Sequence, residues 1–403
     1  MSTVRARGAA LASRVVPDLD ERLWHRARRR EAAAATRALL AAVPGSVASR
    51  PVEARARHSH LVVIPQDGPV AATWQVAGGN FLFEVTQSAR EYLGVDRVSV
   101  LAMDEAETTP QFHARALRTI LAEGATHVLA QVEADPWQGG WNWDVLLAGL
   151  RERWDGVLLG LMFDSGFQWL RARSRHLARL SPNYVHVDIC VPMSGRLVRG
   201  RSEVGPVSMP ISDATLAALD GATRQDRSAE ADRYDVSFIG ALYPYRVELL
   251  DRMRAAGIDV AVNPHRPDVT TDFAESRANQ PTYRDYMAAL ERSRMTINFS
   301  QASSGTEQQL KTRVLEATAM GCVLLTDDVD RTDRYFIPGE EYIPFRHPDE
   351  IPQIAADLLE DPVRLERIGS RARARARAIN VTSFWGGIDQ GLAARRLRPL
   401  LGA

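Results

Sequence analysis

Runs of β-branched and aliphatic residues alternate with amphipathic stretches twice along this chain, and a polar break separates the two series. In the first, "HLVVIP", "DRVSVLAM", "THVLAQV" and "GVLLGLMF" read as strands, with helical patterns such as "PQFHARALRTILAEG" between them. Strands apolar on both faces and separated by helices build a parallel sheet covered on both sides. Residues 222–235, "ATRQDRSAEADRYD", carry no apolar period and read as a linker. The second series places "VSFIGA", "IDVAVNP", "MTINFS" and "CVLLTDD" as strands among the helical stretches "YPYRVELLDRMRAAG", "YRDYMAALERS" and "EQQLKTRVLEATAMG". The expected class is therefore α/β, with two Rossmann-like doubly wound domains. A helical N-terminal extension over 1–57, closed by Pro44 and Gly45, precedes the first domain at 58–221. The second domain follows the linker at 236–375, and a C-terminal helix within 376–403 packs back toward the first. Such an arrangement puts a ligand cleft between the domains, at the carboxyl ends of the strands.

Composition removes several classes of function. A chain of 403 residues can bury two cores, and a formal net charge of zero supplies no basic field to recruit nucleic acid or a membrane surface. No apolar run approaches the ~18–20 residues that span a bilayer. The opening "MSTVRARGAALASRVVPD" is broken by arginine and offers no signal-peptide core, so a cytoplasmic location is expected. Cys190 and Cys322 sit far apart in apolar surroundings and are expected as buried free thiols. Of 50 basic residues only Lys311 is a lysine; the arginine bias, with abundant alanine, reads as that of a GC-rich bacterial genome.

Neither the G-x-G-x-x-G of a dinucleotide enzyme nor the G-x-x-x-x-G-K-[ST] of a P-loop is present. Gly78 and Gly79 open a helix that Asn80 can cap, which suits a phosphate as well as a plain tight turn. A stronger pattern is "QQLKTRVLEATAMG". On a helix from Gln308 to Met320, Lys311 and Arg313 stand in the first turns, where the helix dipole also favours anions. Glu316 lies on a neighbouring face and can accept hydrogen bonds from a diol. Cations for a diphosphate beside a carboxylate for a ribose suit a sugar nucleotide; a surface ion-pair cluster on an amphipathic helix is the other explanation.

From Asp235 to about Trp385 the chain resembles the CgeB-like, spore-maturation-type glycosyltransferases of GT-B architecture. The resemblance is carried by "DVSFIGALYPYR", "YRDYMAALERSRMTINFS", "EQQLKTRVLEATAMGCVLLTDD", "RYFIPGEEYIPF" and "EIPQIAADLLEDPVRLERIGSRA", in that order. It implies a nucleotide-diphosphate sugar, UDP-sugar among the candidates, held mainly by the C-terminal domain, and an acceptor in the N-terminal one. It further implies Glu316 on the ribose, Lys311 and Arg313 on the departing diphosphate, and Gly240, Tyr245 and Arg246 in a phosphate-facing loop. Related retaining families carry a sugar-binding glutamate at the position of Gln308, beside Glu307, so the change from carboxylate to amide bears on donor choice and stereochemistry.

Other residues complete the candidate site. Asp328-Val329-Asp330 spells D-x-D, yet its place after a C-domain strand favours a polar donor-side loop with Asp327, and no metal or other cofactor is expected. His265 in "NPHRPD" can stack near a base. Trp137, Trp141 and Trp143 in "EADPWQGGWNWD" suit an acceptor, whether small molecule or glycan, or else pack on a neighbouring helix. Asp164 ends a strand and is the first candidate for a base, ahead of His113. The expected activity is metal-independent, retaining sugar transfer. Epimerisation of a sugar nucleotide and a non-catalytic assembly role on the same fold are the alternatives.

Overall fold

Two parallel sheets organise the chain. The computed structural model describes residues 19–43, 59–65, 80–104, 106–133, 142–163, 165, 167–192, 203–226, 233–240, 242–264, 283–301 and 307–401. In the first sheet β1 (Leu61–Ile64), β2 (Val98–Val100), β3 (His127–Gln131), β4 (Val157–Met162), β5 (Tyr184–Asp188) and β7 (Glu203–Val204) lie in the order β2-β1-β3-β4-β5-β7, all parallel. In the second, β8 (Tyr234–Phe238), β9 (Val260–Val262), β10 (Ser293–Asn298), β12 (Val323–Thr326) and β13 (Ile343–Pro344) lie in the order β13-β12-β10-β8-β9. Strands such as β1, β4 and β12 are buried on both faces, which is why their sequences read as continuous apolar runs.

Helices cover each sheet on both sides. On one face of the first sheet α1 (Leu19–Ala42) packs with α3 (Thr109–Ala122), α4 (Trp143–Arg153) and α5 (Gln168–Leu180) around a core containing Leu39, Leu117, Trp143 and Leu170. On the other lie α2 (Asn80–Leu93) and the end of the long C-terminal helix α11 (Pro362–Ala394), whose Phe384, Trp385, Ile388 and Leu392 join Val85 and Ala89. Around the second sheet, α7 (Pro244–Ala255) and α10 (Ile351–Glu360) form one layer. The other holds α8 (Tyr283–Glu291) and α9 (Thr312–Ala319). Between the domains runs α6 (Asp213–Asp226), so residues 222–226 of the expected linker are helical.

In both sheets the strand order reverses after the first strand, between β1 and β3 and between β8 and β10. At such a switch point the two following loops diverge to opposite faces and leave a crevice at the carboxyl ends. A third element joins the two halves. Strand β6 (Cys190–Pro192), continuing from β5, pairs antiparallel with β11 (Glu307–Gln309), the segment just before α9.

Helix α11 ties both layers together through glycines. A Cβ on Gly369 would lie 2.4 Å from the carbonyl oxygen of Gly321, the left-handed residue that ends α9 (φ 77°). At Gly386 the same atom would meet only Thr382, at 3.9 Å. Alanine in a helix interior is ordinarily favoured over glycine by about 1 kcal/mol. Gly386→Ala is therefore expected to stabilise by up to that amount, whereas Gly369→Ala, which collides with backbone, destabilises by about 1–3 kcal/mol. Urea unfolding of the two variants checks this; the same sign for both would show that α11 can shift away from Gly321.

Candidate functional site

The C-domain switch point is built on a glycine loop. β8 leads into Gly240 at φ 143°, a conformation that side-chain-bearing residues rarely adopt. The Gly240 amide donates to Oδ1 of Asn263 at 2.8 Å, and the Asn263 amide returns a bond to the Gly240 carbonyl at 3.3 Å. A Cβ on Gly240 would stand 3.6 Å from Nη2 of Arg313, so the guanidinium lies directly against this loop. On the other side, β10 runs into Ser300, whose amide donates to the Asp327 carboxylate and whose hydroxyl donates to Oε1 of Gln308 at 2.6 Å.

The helix expected from Gln308 begins later. Thr312–Ala319 is helical, Lys311 is its N-cap with extended backbone (φ −62°, ψ 145°), and Gln308 and Gln309 belong to β11. Pairing with β6 and the bond from the Gln309 amide to the Ser300 carbonyl hold these residues extended, a tertiary demand that overrides their helical propensity. The two cations still stand at the amino end of α9. Lys311 Nζ donates to Oε1 of Gln309. The side chain of Glu307 lies outside the described residues.

Glu316 is buried, and both its oxygens are engaged: the Tyr283 hydroxyl donates to one at 3.1 Å and the Tyr286 hydroxyl to the other at 2.6 Å. Burial raises its carboxyl, opposed by the Tyr286 bond and the charge of Arg313, while burial beside this carboxylate pushes both phenols far up. In this arrangement Glu316 joins α8 to α9. Arg246 departs from its expected phosphate-facing position. It is buried, its guanidinium carbon lies 4.6–5.5 Å from the ring centres of Tyr243, Tyr245, Phe299 and Phe238, and Nε donates to the Tyr245 hydroxyl. Its guanidinium packs among these rings, and Tyr243 and Tyr245 are half-exposed.

On the N-domain side two expectations are corrected. Trp143, expected to contact an acceptor, is fully buried in the core at the start of α4, and His113 is fully buried on α3. Both sit on inward helical faces, where apolar neighbours leave no room for a ligand. Trp137, Trp141, Asp164, Gly79 and His265 lie outside the described residues, as does the side chain of Asn80. The structure adds groups that the sequence reading passed over. Glu133, just beyond β3, accepts from the Phe163 amide and, at 2.8 Å, from Gln131 Nε2. Asp188, ending β5, accepts from the Ser165 hydroxyl and lies 3.1 Å from His186 Nε2. Trp169 stands half-exposed at the start of α5. Position at a strand's carboxyl end was the available signal for Glu133 and Asp188.

The two carboxylates of the D-x-D differ in exposure. Asp330 is completely buried and accepts from the Thr332 amide and hydroxyl, with burial raising it to about 7. Asp328, in the left-handed region at φ 59°, accepts from the Asp333 amide; burial raises both it and Asp327. Among the described residues, no group of three or more His, Cys, Asp or Glu could hold a metal ion, and no helix is long and apolar enough to cross a membrane. Cys322 is a buried free thiol; the side chain of Cys190 lies outside the described residues.

Residues 246–381 match the family model described as Glycosyl transferase-like. No curated protein matches the chain. Among solved structures, Alr3699/HepE of Anabaena in complex with UDP and glucose is 14% identical over 83% of this chain and 100% of that one, with a TM-score of 0.51. An alpha-glucosyltransferase in complex with UDP-glucose and DNA containing an abasic site is 11% identical over 84% of this chain and 99% of that one, with a TM-score of 0.53. The fold is GT-B.

The GT-B junction also buries an acid. Glu84 on α2 accepts from the Ser212 amide and the Thr215 hydroxyl at the start of α6. Burial raises its carboxyl from 4.5 to about 7, against those hydrogen bonds and with a small further push from Glu316. The folded state thus holds this proton more tightly than the unfolded chain, so stability contributed by the neutral form is lost as pH rises from about 4.5 to 7. Glu84→Gln cannot ionise. Relative to wild type it is expected to gain up to about 3 kcal/mol between pH 4.5 and 7.5, a difference that cancels the contribution of Asp330. Urea unfolding at both pH values measures it, and parallel pH dependence of the two proteins would show Glu84 to be solvated.

Proposed function

We propose that this protein transfers a sugar from a nucleotide-diphosphate sugar, with UDP the first nucleotide to test, to a small-molecule or glycan acceptor. The observation that carries the reading is the pair of cations, Lys311 and Arg313, at the amino end of α9 beside the Gly240 loop of the C-domain switch point. A diphosphate leaving group develops negative charge as the glycosidic bond to it breaks. An ammonium, a guanidinium and the helix dipole can stabilise that charge without reorganising. Lysine meets a phosphate oxygen as a compact point charge, and arginine can grip two oxygens in a plane. The family match over residues 246–381 supports the same chemistry.

In this reading the donor lies on the C-domain and the acceptor faces the carboxyl ends of β3, β4 and β5. Trp137 and Trp141 remain acceptor-side candidates, with Asp164 and Glu133 the carboxylates for orienting a hydroxyl. The subtype is the CgeB-like one, the enzyme is cytoplasmic, the positive charge comes from side chains rather than a metal, and the anomeric configuration is retained.

Calorimetric titration with UDP, GDP and TDP tests the donor site directly. One nucleotide is expected to bind saturably, and Lys311→Ala and Arg313→Ala are each expected to cost about 2–4 kcal/mol of transition-state stabilisation in a transfer assay. Absence of binding by all three nucleotides would return the fold to an assembly role. Turnover is expected to persist in EDTA, and proton coupling constants of the product are expected to show retention. Activity abolished by EDTA would assign the charge to a metal, and an inverted product would move the chemistry to an N-domain carboxylate.

A further inference from the structure

We propose that Gln309 is a positioning residue that holds the Lys311 ammonium in register with the N-domain through the carbonyl of Phe163. The proposal rests on the sugar-transfer reading and deepens its donor site. Gln309 is buried at the junction. Its Nε2 donates to the Phe163 carbonyl at 2.5 Å, and its Oε1 accepts from Lys311 Nζ. Phe163 lies just past β4 in one domain and Lys311 caps α9 in the other, so one amide group spans the junction.

The residue type suits the task. A carboxamide carries a donor and an acceptor on the same carbon, which matches a carbonyl on one side and an ammonium on the other. Glutamate would set a carboxylate against the Phe163 carbonyl, and an aliphatic side chain would engage neither group. The backbone of Gln309 is fixed independently. It pairs with Cys190 in the β6–β11 ladder, its amide donates to the Ser300 carbonyl at 2.7 Å, and the next amide, of Leu310, donates to Ile189 at 2.9 Å. Phe163 is fixed in turn, since its amide donates to Glu133. The position of the cation is thereby referred to the ends of β3 and β4, where the acceptor would stand. Separating the domains breaks the Phe163 contact and leaves the ammonium without that reference. Leaving-group stabilisation is then complete only when the acceptor domain is in place.

Because Lys311 is the single lysine of the chain, lysine labelled with nitrogen-15 and carbon-13 reports this one side chain in an NMR spectrum. Gln309→Met preserves chain length and removes both contacts; Gln309→Ala serves as a second variant should the first fail to fold. The substitution is expected to move the lysine signal in the absence of nucleotide and to weaken UDP binding about tenfold. In a Lys311→Ala background it is expected to weaken UDP no further, since its effect passes through the lysine. An unmoved lysine signal, or losses that add fully in the double variant, would overturn the positioning role while leaving the donor site standing. A wild-type protein that binds none of UDP, GDP and TDP would instead overturn the sugar-transfer reading and the role assigned here with it.

Discussion

An antiparallel ladder of six residues, Cys190–Pro192 against Glu307–Gln309, sets the geometry on which the candidate site depends. Each parallel sheet by itself only delivers loops to its carboxyl edge. The ladder joins the strand that follows β5 to the segment that precedes α9, so the two edges meet in a defined register. Individual backbone hydrogen bonds of this kind are worth about 1 kcal/mol net. Their effect here is geometric: they hold Gln308 and Gln309 extended and force the helix to begin at Thr312, which leaves Lys311 outside the first turn with its side chain folded back toward the junction.

Charge in the junction is distributed unevenly. The acids Glu84, Glu316 and Asp330 are all buried, and burial raises each of them. Arg246 is enclosed by aromatic rings, and Arg313 lies close enough to Glu316 to oppose its upward shift. A ligand anion arriving at the Gly240 loop therefore meets an arginine already partly committed to a carboxylate. The Lys311 ammonium donates to the neutral amide of Gln309.

The architecture was legible in the sequence because strands buried on both faces must be apolar throughout, and each of "HLVVIP", "THVLAQV", "GVLLGLMF", "MTINFS" and "CVLLTDD" became a strand. Positions governed by local chemistry, such as the glycine turns at Gly240 and Gly321, were legible as well. What escaped depended on partners far away in the chain. Nothing local in "EQQLK" distinguishes a helix start from a strand that pairs with residues more than a hundred positions earlier. Trp143 illustrates the complementary difficulty: a tryptophan beside a turn-rich loop can stack on a ligand or start a buried helix, and only the packing of α1, α3 and α4 chooses the core. Arg246 follows the Gly240 loop, but the four rings around it come from three separate segments.

The path of α11 has a consequence for synthesis on the ribosome. The first domain's own sheet is complete at Val204, yet one of its two faces is closed by Phe384, Trp385, Ile388, Leu392 and Leu400, with Trp385 donating to Ser88 and the Arg398 carbonyl bonded to His127. While the second domain is still being translated, α2 covers part of that apolar face, and the part that α11 closes waits for the end of the chain. The part of the face under α11 therefore stays open for roughly half the length of translation, at the 5–20 residues per second typical of ribosomes. The N-terminal domain, made first, is among the last parts to finish folding.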